Sequence, residues 1–243
     1  MKSLLKKFLA SREKEVAPLG TMRALNEASL VTRALASLIE QSHGQLRQDL
    51  FVLCELGFKR GGYFVEFGGA DGVLFSNTLL LERQFGWTGI IAEPARRWQP
   101  ALSRNRRCHI ETDCVWRDST STFPFTETDL AEFSTIASYR DSDLHASYRE
   151  TGGRTYDVNT ISLNDLLAKY EAPTHIDYLS IDTEGSEFDI LECFDFSRYE
   201  FRVITCEHNY SPMREKLLRL LGGHGYERKF AGLTQFDDWY VKA

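Results

Sequence analysis

The chain has no apolar run near the ~20 residues that a membrane-spanning helix needs, which excludes an integral helical membrane protein. Its five cysteines, Cys54, Cys108, Cys114, Cys193 and Cys206, include no Cys-x-x-Cys pair. That absence argues against a zinc site, and the odd, scattered set reads as buried, reduced thiols of a cytoplasmic protein. Basic charge is scarce: 29 Lys and Arg against 35 Asp and Glu leave a net charge of −6. A duplex nucleic-acid binder needs a basic face, so no nucleic-acid partner is expected. Arg96, Arg97, Arg104, Arg106 and Arg107 form one local basic patch. Two nucleotide signatures are missing as well, since neither Gly-x-Gly-x-x-Gly nor the Gly-Lys-Ser/Thr of a P-loop occurs. Without a Tyr-x-x-x-Lys pair, the chain does not read as a nicotinamide dehydrogenase either.

What is present is a strand-like run, Tyr63-Phe64-Val65-Glu66-Phe67, that opens into Gly68-Gly69-Ala70-Asp71-Gly72 and then a helical stretch from Val73 to Arg83 with Ser76 or Asn77 near its start. Strand, glycine turn and helix begin a nucleotide-binding βαβ unit, in which glycines let a ligand approach the backbone. Glu66 just before the turn would repel a pyrophosphate. It suits a ligand that carries a cation there, such as the amino group or sulfonium of S-adenosylmethionine.

The rest of the chain alternates helix and strand. With 243 residues, 42% of them hydrophobic, a single full-size core is expected. Residues 1–44 read as an N-terminal helical arm and 45–243 as the ligand-binding domain. In the arm, Leu4, Leu5, Phe8 and Leu9 beside lysines fit either a short packed helix or contact with an anionic membrane surface. The apolar run ends at Ser11-Arg12-Glu13, so no signal peptide is expected. Helical spacing follows over 22–40 and 45–58, with Gln48 and Asp49 facing either the ligand or solvent. Strands are expected at 90–93, 108–116, 176–182 and 201–209, with a closing antiparallel hairpin from 226–230 and 237–241. Ser162, with Asp165 three residues on, reads as a helix start. The stretch 117–157 is rich in Ser, Thr, Asp and Tyr and reads as a long substrate-binding insertion or lid, offering Tyr139, Arg140, His145, Tyr148 and Arg154. Together these elements give an α/β doubly wound sheet whose ligand lies at the C-terminal ends of the strands. Four acids fall there: Glu66, Glu93, Asp182 and Glu207. Glu93, at the second strand tip, can accept both ribose hydroxyls. Asp113 and Cys114 line an adenine pocket, or Asp113 is an exposed turn residue.

The segments Tyr63 to Gly72, Ser76-Asn77-Thr78, Gly86-Trp87-Thr88-Gly89, Ile91-Ala92-Glu93-Pro94 and Ile181-Asp182-Thr183-Glu184-Gly185-Ser186-Glu187 resemble the FkbM family of S-adenosylmethionine-dependent methyltransferases. The resemblance implies a Rossmann-like class I methyltransferase, with a seven-strand sheet, an antiparallel last strand and O-methylation of sugar or polyketide hydroxyls. Carried over, Glu66, Gly68, Gly69, Asp71 and Gly72 would hold the methionine part of the cofactor. Ser76 would lie near its carboxylate, Glu93 would take the ribose, and Asp113 with Cys114 the adenine.

Methyl transfer to a hydroxyl needs alignment and removal of a proton. His208, at the tip of the fifth strand, has the pKa range of a base, or it only braces the closing hairpin. A metal-assisted alternative places Mg²⁺ or Mn²⁺ on Asp182, Glu207 and His208. Glu184 reads as a partner of substrate hydroxyls or as a helix-end acid, and Glu187 as the latter. The expected partner is a sugar or glycan acceptor, and a homo-oligomer is compatible with everything in the sequence.

Overall fold

The computed structural model of the protein describes the backbone of residues 19–128, 135–136 and 153–243, and the side chains within 29–127 and 154–243. The chain divides into two units, Met1–Glu40 and Gln41–Ala243. The first contains a helix, α1 (Leu19–Leu38). Residues 1–10, where the membrane-surface alternative falls, lie outside the described residues.

The second unit is built on a seven-stranded sheet. In chain order its elements are α2 (Gln48–Glu55), β1 (Tyr63–Phe67), α3 (Leu79–Phe85), β2 (Thr88–Ala92), α4 (Gln99–Asn105) and β3 (His109–Glu111). They continue with β4 (Cys114–Trp116), β5 (Thr122–Thr128), β6 (Thr135–Ile136), β7 (Gly153–Ser162), α5 (Leu163–Lys169), β8 (His175–Ile181), α6 (Glu187–Glu192), β9 (Glu200–Glu207), α7 (Met213–Gly223), β10 (Tyr226–Lys229) and β11 (Asp237–Lys242). The large sheet runs β10-β11-β9-β8-β1-β2-β3. Strands β9, β8, β1, β2 and β3 are mutually parallel, and β11 runs antiparallel to both of its neighbours.

The parallel strands are mostly apolar because both faces are covered, as a parallel sheet requires. Alternate residues divide between the faces. Val65, Phe67, Ile90, Leu179, Ile181 and Ile204 join a core with Leu166 of α5, Leu191 of α6 and Leu217 of α7. Phe64, Ile91 and Tyr178 are fully buried on the other face. Ser162 caps α5 as its spacing predicts: its Oγ accepts from Asp165 N–H at 3.1 Å and donates to the Asp165 carboxylate at 2.8 Å.

Three expectations need correction. The single third strand over 108–116 is two. β3 stays beside β2, while Thr112-Asp113 breaks the run and β4 leaves to pair with β7 in a separate four-stranded sheet, β4-β7-β5-β6. The stretch 117–157 is not all loop: β5 pairs antiparallel with β7 from Thr122↔Asn159 to Thr128↔Gly153. Tyr139, Arg140, His145 and Tyr148 lie outside the described residues, and Arg154 is an exposed residue of β7. The thiols are not uniformly buried, since Cys54 and Cys193 are exposed. Among the described residues no helix is long and apolar enough to cross a membrane.

Candidate active site

A cavity of about 310 Å³ opens along the C-terminal ends of β8, β1 and β2, within the size range of small-ligand sites. Strand order dictates what lines it. On the β2 side stand Glu93, Pro94 and, from the second sheet, Cys114, Val115 and Phe125. In the middle are Gly68, Ala70 and Asn77, and on the β8-β9-β11 side Asp182, Glu184, Glu207 and Asp237.

The glycine turn shapes this cavity more than it lines it. Gly68 has φ +76°, and a Cβ there would fall 2.2 Å from the Asp182 carbonyl oxygen. A Cβ on Gly69 would meet the Ile91 side chain at 2.3 Å, and one on Gly72 the Arg106 side chain at 2.6 Å. Asp71 turns inward on its own loop, where one carboxylate oxygen accepts the N–H groups of Val73 and Leu74 at 2.8 and 2.7 Å. Of the five turn residues, only Gly68 and Ala70 line the cavity. The expectation that Gly69, Asp71 and Gly72 touch the ligand is therefore corrected: they let the turn pack.

Glu66 lines the cavity with its oxygens already engaged by the protein, and Ser76 is committed to the protein. Glu66 accepts from Asn77 N–H at 2.7 Å, from Ser76 Oγ at 3.1 and 3.2 Å, and from Thr78 Oγ1. Arg106, counted with the basic patch in the sequence, is buried beneath them. It lies 3.5 Å from Glu66 and 3.0 Å from Glu82, and donates to Ser76 Oγ, Thr78 Oγ1 and the Gly72 carbonyl. This network also delays the helix, which begins at Leu79 rather than at Ser76 or Asn77. Ser76 is buried with Glu66 and does not face the cavity. Asn77 does, and its buried Oδ1 has no hydrogen-bond partner.

Glu93 keeps its expected place. Its oxygens accept the N–H groups of Ala70 and Ala95, each at 2.8 Å, so each oxygen retains a free acceptor site. Burial pushes its carboxyl up to about 7 against these two hydrogen bonds. Cys114 lines the cavity, but Asp113 does not. Asp113 stands between β3 and β4, half-buried rather than exposed, with its carboxyl raised by burial and then by Glu111.

The acidic side is denser than expected. One carboxylate oxygen from each of Asp182, Glu184 and Glu207 lies within 4.8 Å of the others. Burial, followed by the charges of Asp182 and Glu184, drives the Glu207 carboxyl well above its ordinary range. Glu187 instead closes the start of α6, accepting from the N–H groups of Thr183 and Gly185, both at 3.0 Å. His208 does not join the acids. Adjacent residues of a strand point to opposite sides, and its Nδ1 accepts the Tyr210 N–H at 2.9 Å while Nε2 lies 3.8 Å from Asp238. The expectations that His208 is the base or a metal ligand are corrected for that reason. Burial also lowers its pKa, against the pull of Asp238.

Gln48 takes the ligand-facing alternative and lines the cavity, while Asp237 beside it was missed. Gln48 Nε2 donates at 3.0 Å to Asp237 Oδ2, which also accepts from Trp239 Nε1 at 3.0 Å. Asp49, the other α2 polar residue, turns instead to Ser42 Oγ at 2.5 Å. Asp237 stands opposite Glu207 in the β11·β9 register, a pairing that only the antiparallel closing strand reveals.

Burial holds the Asp237 carboxyl at about 7, far above its ordinary 3.8. The folded protein thus keeps a proton that the unfolded chain releases above pH ~4. Stability falls as pH rises through that window, and the full cost is present above pH 7. Asp237→Asn is expected to raise unfolding free energy at pH 8 by about 2–4 kcal/mol and to leave it nearly unchanged at pH 4. Urea unfolding at the two pH values measures both.

A parallel sheet in this strand order, with an antiparallel strand wedged in at one side and a ligand cavity across the strand tips, defines a Rossmann-like methyltransferase fold. The Methyltransferase FkbM domain matches over residues 66–239. The chain belongs to the FkbM methyltransferase family, and S-adenosylmethionine is its cofactor. No curated protein matches the chain. Solved structures similar to it include the precorrin-6y C5,15-methyltransferase of Geobacter metallireducens GS-15, at 11% identity and TM-score 0.42 over 80% of this chain and 88% of that one. Human methyltransferase 10 domain containing protein is similar at 12% identity and TM-score 0.39, over 80% of each chain.

Proposed function

We propose that the protein transfers a methyl group from S-adenosylmethionine to a hydroxyl of a sugar, whether free, nucleotide-linked or within a polysaccharide. One observation carries this reading: a bank of carboxylates on β8, β9 and β11 faces the cavity beside a nucleoside-type cleft on β1 and β2. Hydroxyl groups are donors, and ionised carboxylates are acceptors only.

The lining fits the cofactor. Glu93 would take the ribose hydroxyls on its free acceptor sites, and the apolar wall of Pro94, Cys114, Val115 and Phe125 would flank the base. Asn77 Oδ1, buried without a donor, would receive the ammonium. Bound there, the cofactor supplies an electrophilic methyl on a sulfonium. Asp182 and Glu184 would accept the hydrogen bond of the incoming hydroxyl and take up its proton. Glu207, whose carboxyl is raised by burial and then by the charges of Asp182 and Glu184, would be the acid of the bank readiest to keep its proton.

Calorimetry with S-adenosylhomocysteine is expected to show saturable binding that Glu93→Ala weakens about tenfold or more. Mass spectrometry of sugars incubated with protein and cofactor is expected to show gain of one methyl. Absence of binding at millimolar ligand would sink the reading.

A second reading adds a divalent cation. The convergence of Asp182, Glu184 and Glu207 favours it, because three hard oxygen ligands suit Mg²⁺ or Mn²⁺. On this reading EDTA abolishes turnover and Mg²⁺ or Mn²⁺ restores it, and full activity after EDTA treatment removes it.

A further inference from the structure

We infer that Phe75 and Tyr210 form the acceptor-binding rim of the cavity and that the sugar they hold carries no negative charge where it enters. The inference rests on the reading of methyl transfer to a sugar and narrows it to a substrate class and to two contact residues.

Large aromatic side chains usually retreat from water, yet Phe75 is 48% exposed and Tyr210 is 60% exposed. Both line the cavity. Both also sit in left-handed backbone, with φ +55° and +57°, and Asn209 beside Tyr210 has φ +42°. Bulky residues enter that region at a cost, and such strain gathers where function requires a side chain to be aimed. Each is held there by a built turn. The Asp71 carboxylate accepts the N–H groups of Val73 and Leu74, and the Ser76 N–H returns to the Val73 carbonyl at 3.4 Å, closing the loop that carries Phe75. His208 accepts the Tyr210 N–H at 2.9 Å, and the two rings meet edge to face at 5.4 Å. That gives buried His208 a task as the positioning residue for Tyr210.

The chemistry beyond the rim selects the ligand. Asp182, Glu184, Glu207 and Asp237 face the cavity, and none of the lining side chains among the described residues is Lys, Arg or His. Among the described residues no lining cation offsets these carboxylates, so a phosphate or uronate group would meet them unpaired. A neutral sugar ring answers both features: its apolar C–H face packs on aromatic rings, and its hydroxyl edge donates to carboxylates. A nucleotide-linked sugar fits only with its diphosphate outside.

The test uses the full chain saturated with S-adenosylhomocysteine. Methyl glycosides of glucose, galactose and mannose, methyl glucuronide and glucose 6-phosphate are added, and binding is read by saturation-transfer NMR with irradiation at aromatic frequencies. The same compounds are then offered with S-adenosylmethionine for turnover. Neutral glycosides are expected to bind, with saturation strongest on ring C–H protons, and to be methylated in preference to both anions. Phe75→Ala and Tyr210→Ala are each expected to raise KM about tenfold, with kcat and S-adenosylhomocysteine affinity nearly unchanged, while Tyr210→Phe retains wild-type KM. Unaltered KM in both alanine variants, or preference for an anionic sugar, overturns the inference and leaves sugar methylation standing. Glycosides that bind at the two rings without ever turning over do the opposite. Failure of every neutral glycoside to bind overturns both. If an alanine variant loses S-adenosylhomocysteine binding through misfolding, the wild-type saturation pattern decides.

Discussion

Replacing Arg106 with methionine is expected to cost about 3–5 kcal/mol of stability and to lower the melting temperature by on the order of 10 °C. The guanidinium side chain is fully buried between Glu66, 3% exposed, and Glu82, 9% exposed. It also satisfies Ser76 Oγ, Thr78 Oγ1 and the Gly72 carbonyl. Methionine approximates the volume, so the loss measures charge and hydrogen bonding rather than a cavity. It leaves two carboxylates without their cation, in a medium where each costs several kcal/mol to desolvate. The pair is out of reach of solvent ions, so the loss should persist at high salt. Adding Glu66→Gln to Arg106→Met should recover part of it, because Ser76 and Asn77 can still donate to an amide oxygen there. A melting temperature within a degree or two of wild type for Arg106→Met would show that the network is incidental.

That network marks where the sequence stops being readable. The order of strands and helices is legible because buried parallel strands leave apolar runs separated by glycine turns, and β8 and β9 end close to the expected residues. The closing hairpin is legible too, since 226–230 and 237–241 flank a turn and alternate. The β5·β7 ladder is harder to read, because its apolar alternation is short, Phe123 and Phe125 against Tyr156 and Val158, and Pro124 sits within one strand, opposite Asp157. The acids at the strand tips stand out as residue types, but their orientation depends on partners far away in the chain. Glu66, though it lines the cavity, is also engaged by Arg106, forty positions later, which nothing around Tyr63-Gly72 signals. Glu207 and His208 are neighbours in sequence but face opposite ways, and the carboxylate completing the acidic bank, Asp237, arrives through an antiparallel register. The available signal was alternation: once Glu207 faces the ligand, His208 cannot, and the residue opposite Glu207 must.

Gly68→Ala is expected to damage stability and cofactor binding together, and a second glycine separates the causes. Gly68 and Gly86 have similar backbone, φ +76° and +67°. An alanine in the left-handed region costs about 1–2 kcal/mol wherever it stands. At Gly86, which closes the end of α3, the added methyl meets nothing within 4 Å. Gly86→Ala should therefore show that conformational cost and leave S-adenosylhomocysteine affinity unchanged. At Gly68 the methyl would stand 2.2 Å from the Asp182 carbonyl oxygen, closer than any real Cβ approaches backbone. The tips of β1 and β8 must then separate, which strains the ladder between them and displaces Asp182 from the acidic bank. Overpacking of this kind adds about 1–3 kcal/mol, so Gly68→Ala should lose about twice what Gly86→Ala loses in urea unfolding. Its affinity for S-adenosylhomocysteine should fall about tenfold or more, because the turn and the Asp182 tip that share the cavity move apart. Equal losses for the two variants would mean that Gly68 serves only its own backbone conformation, and that the close approach of β1 to Asp182 does not hold the ligand cavity in shape.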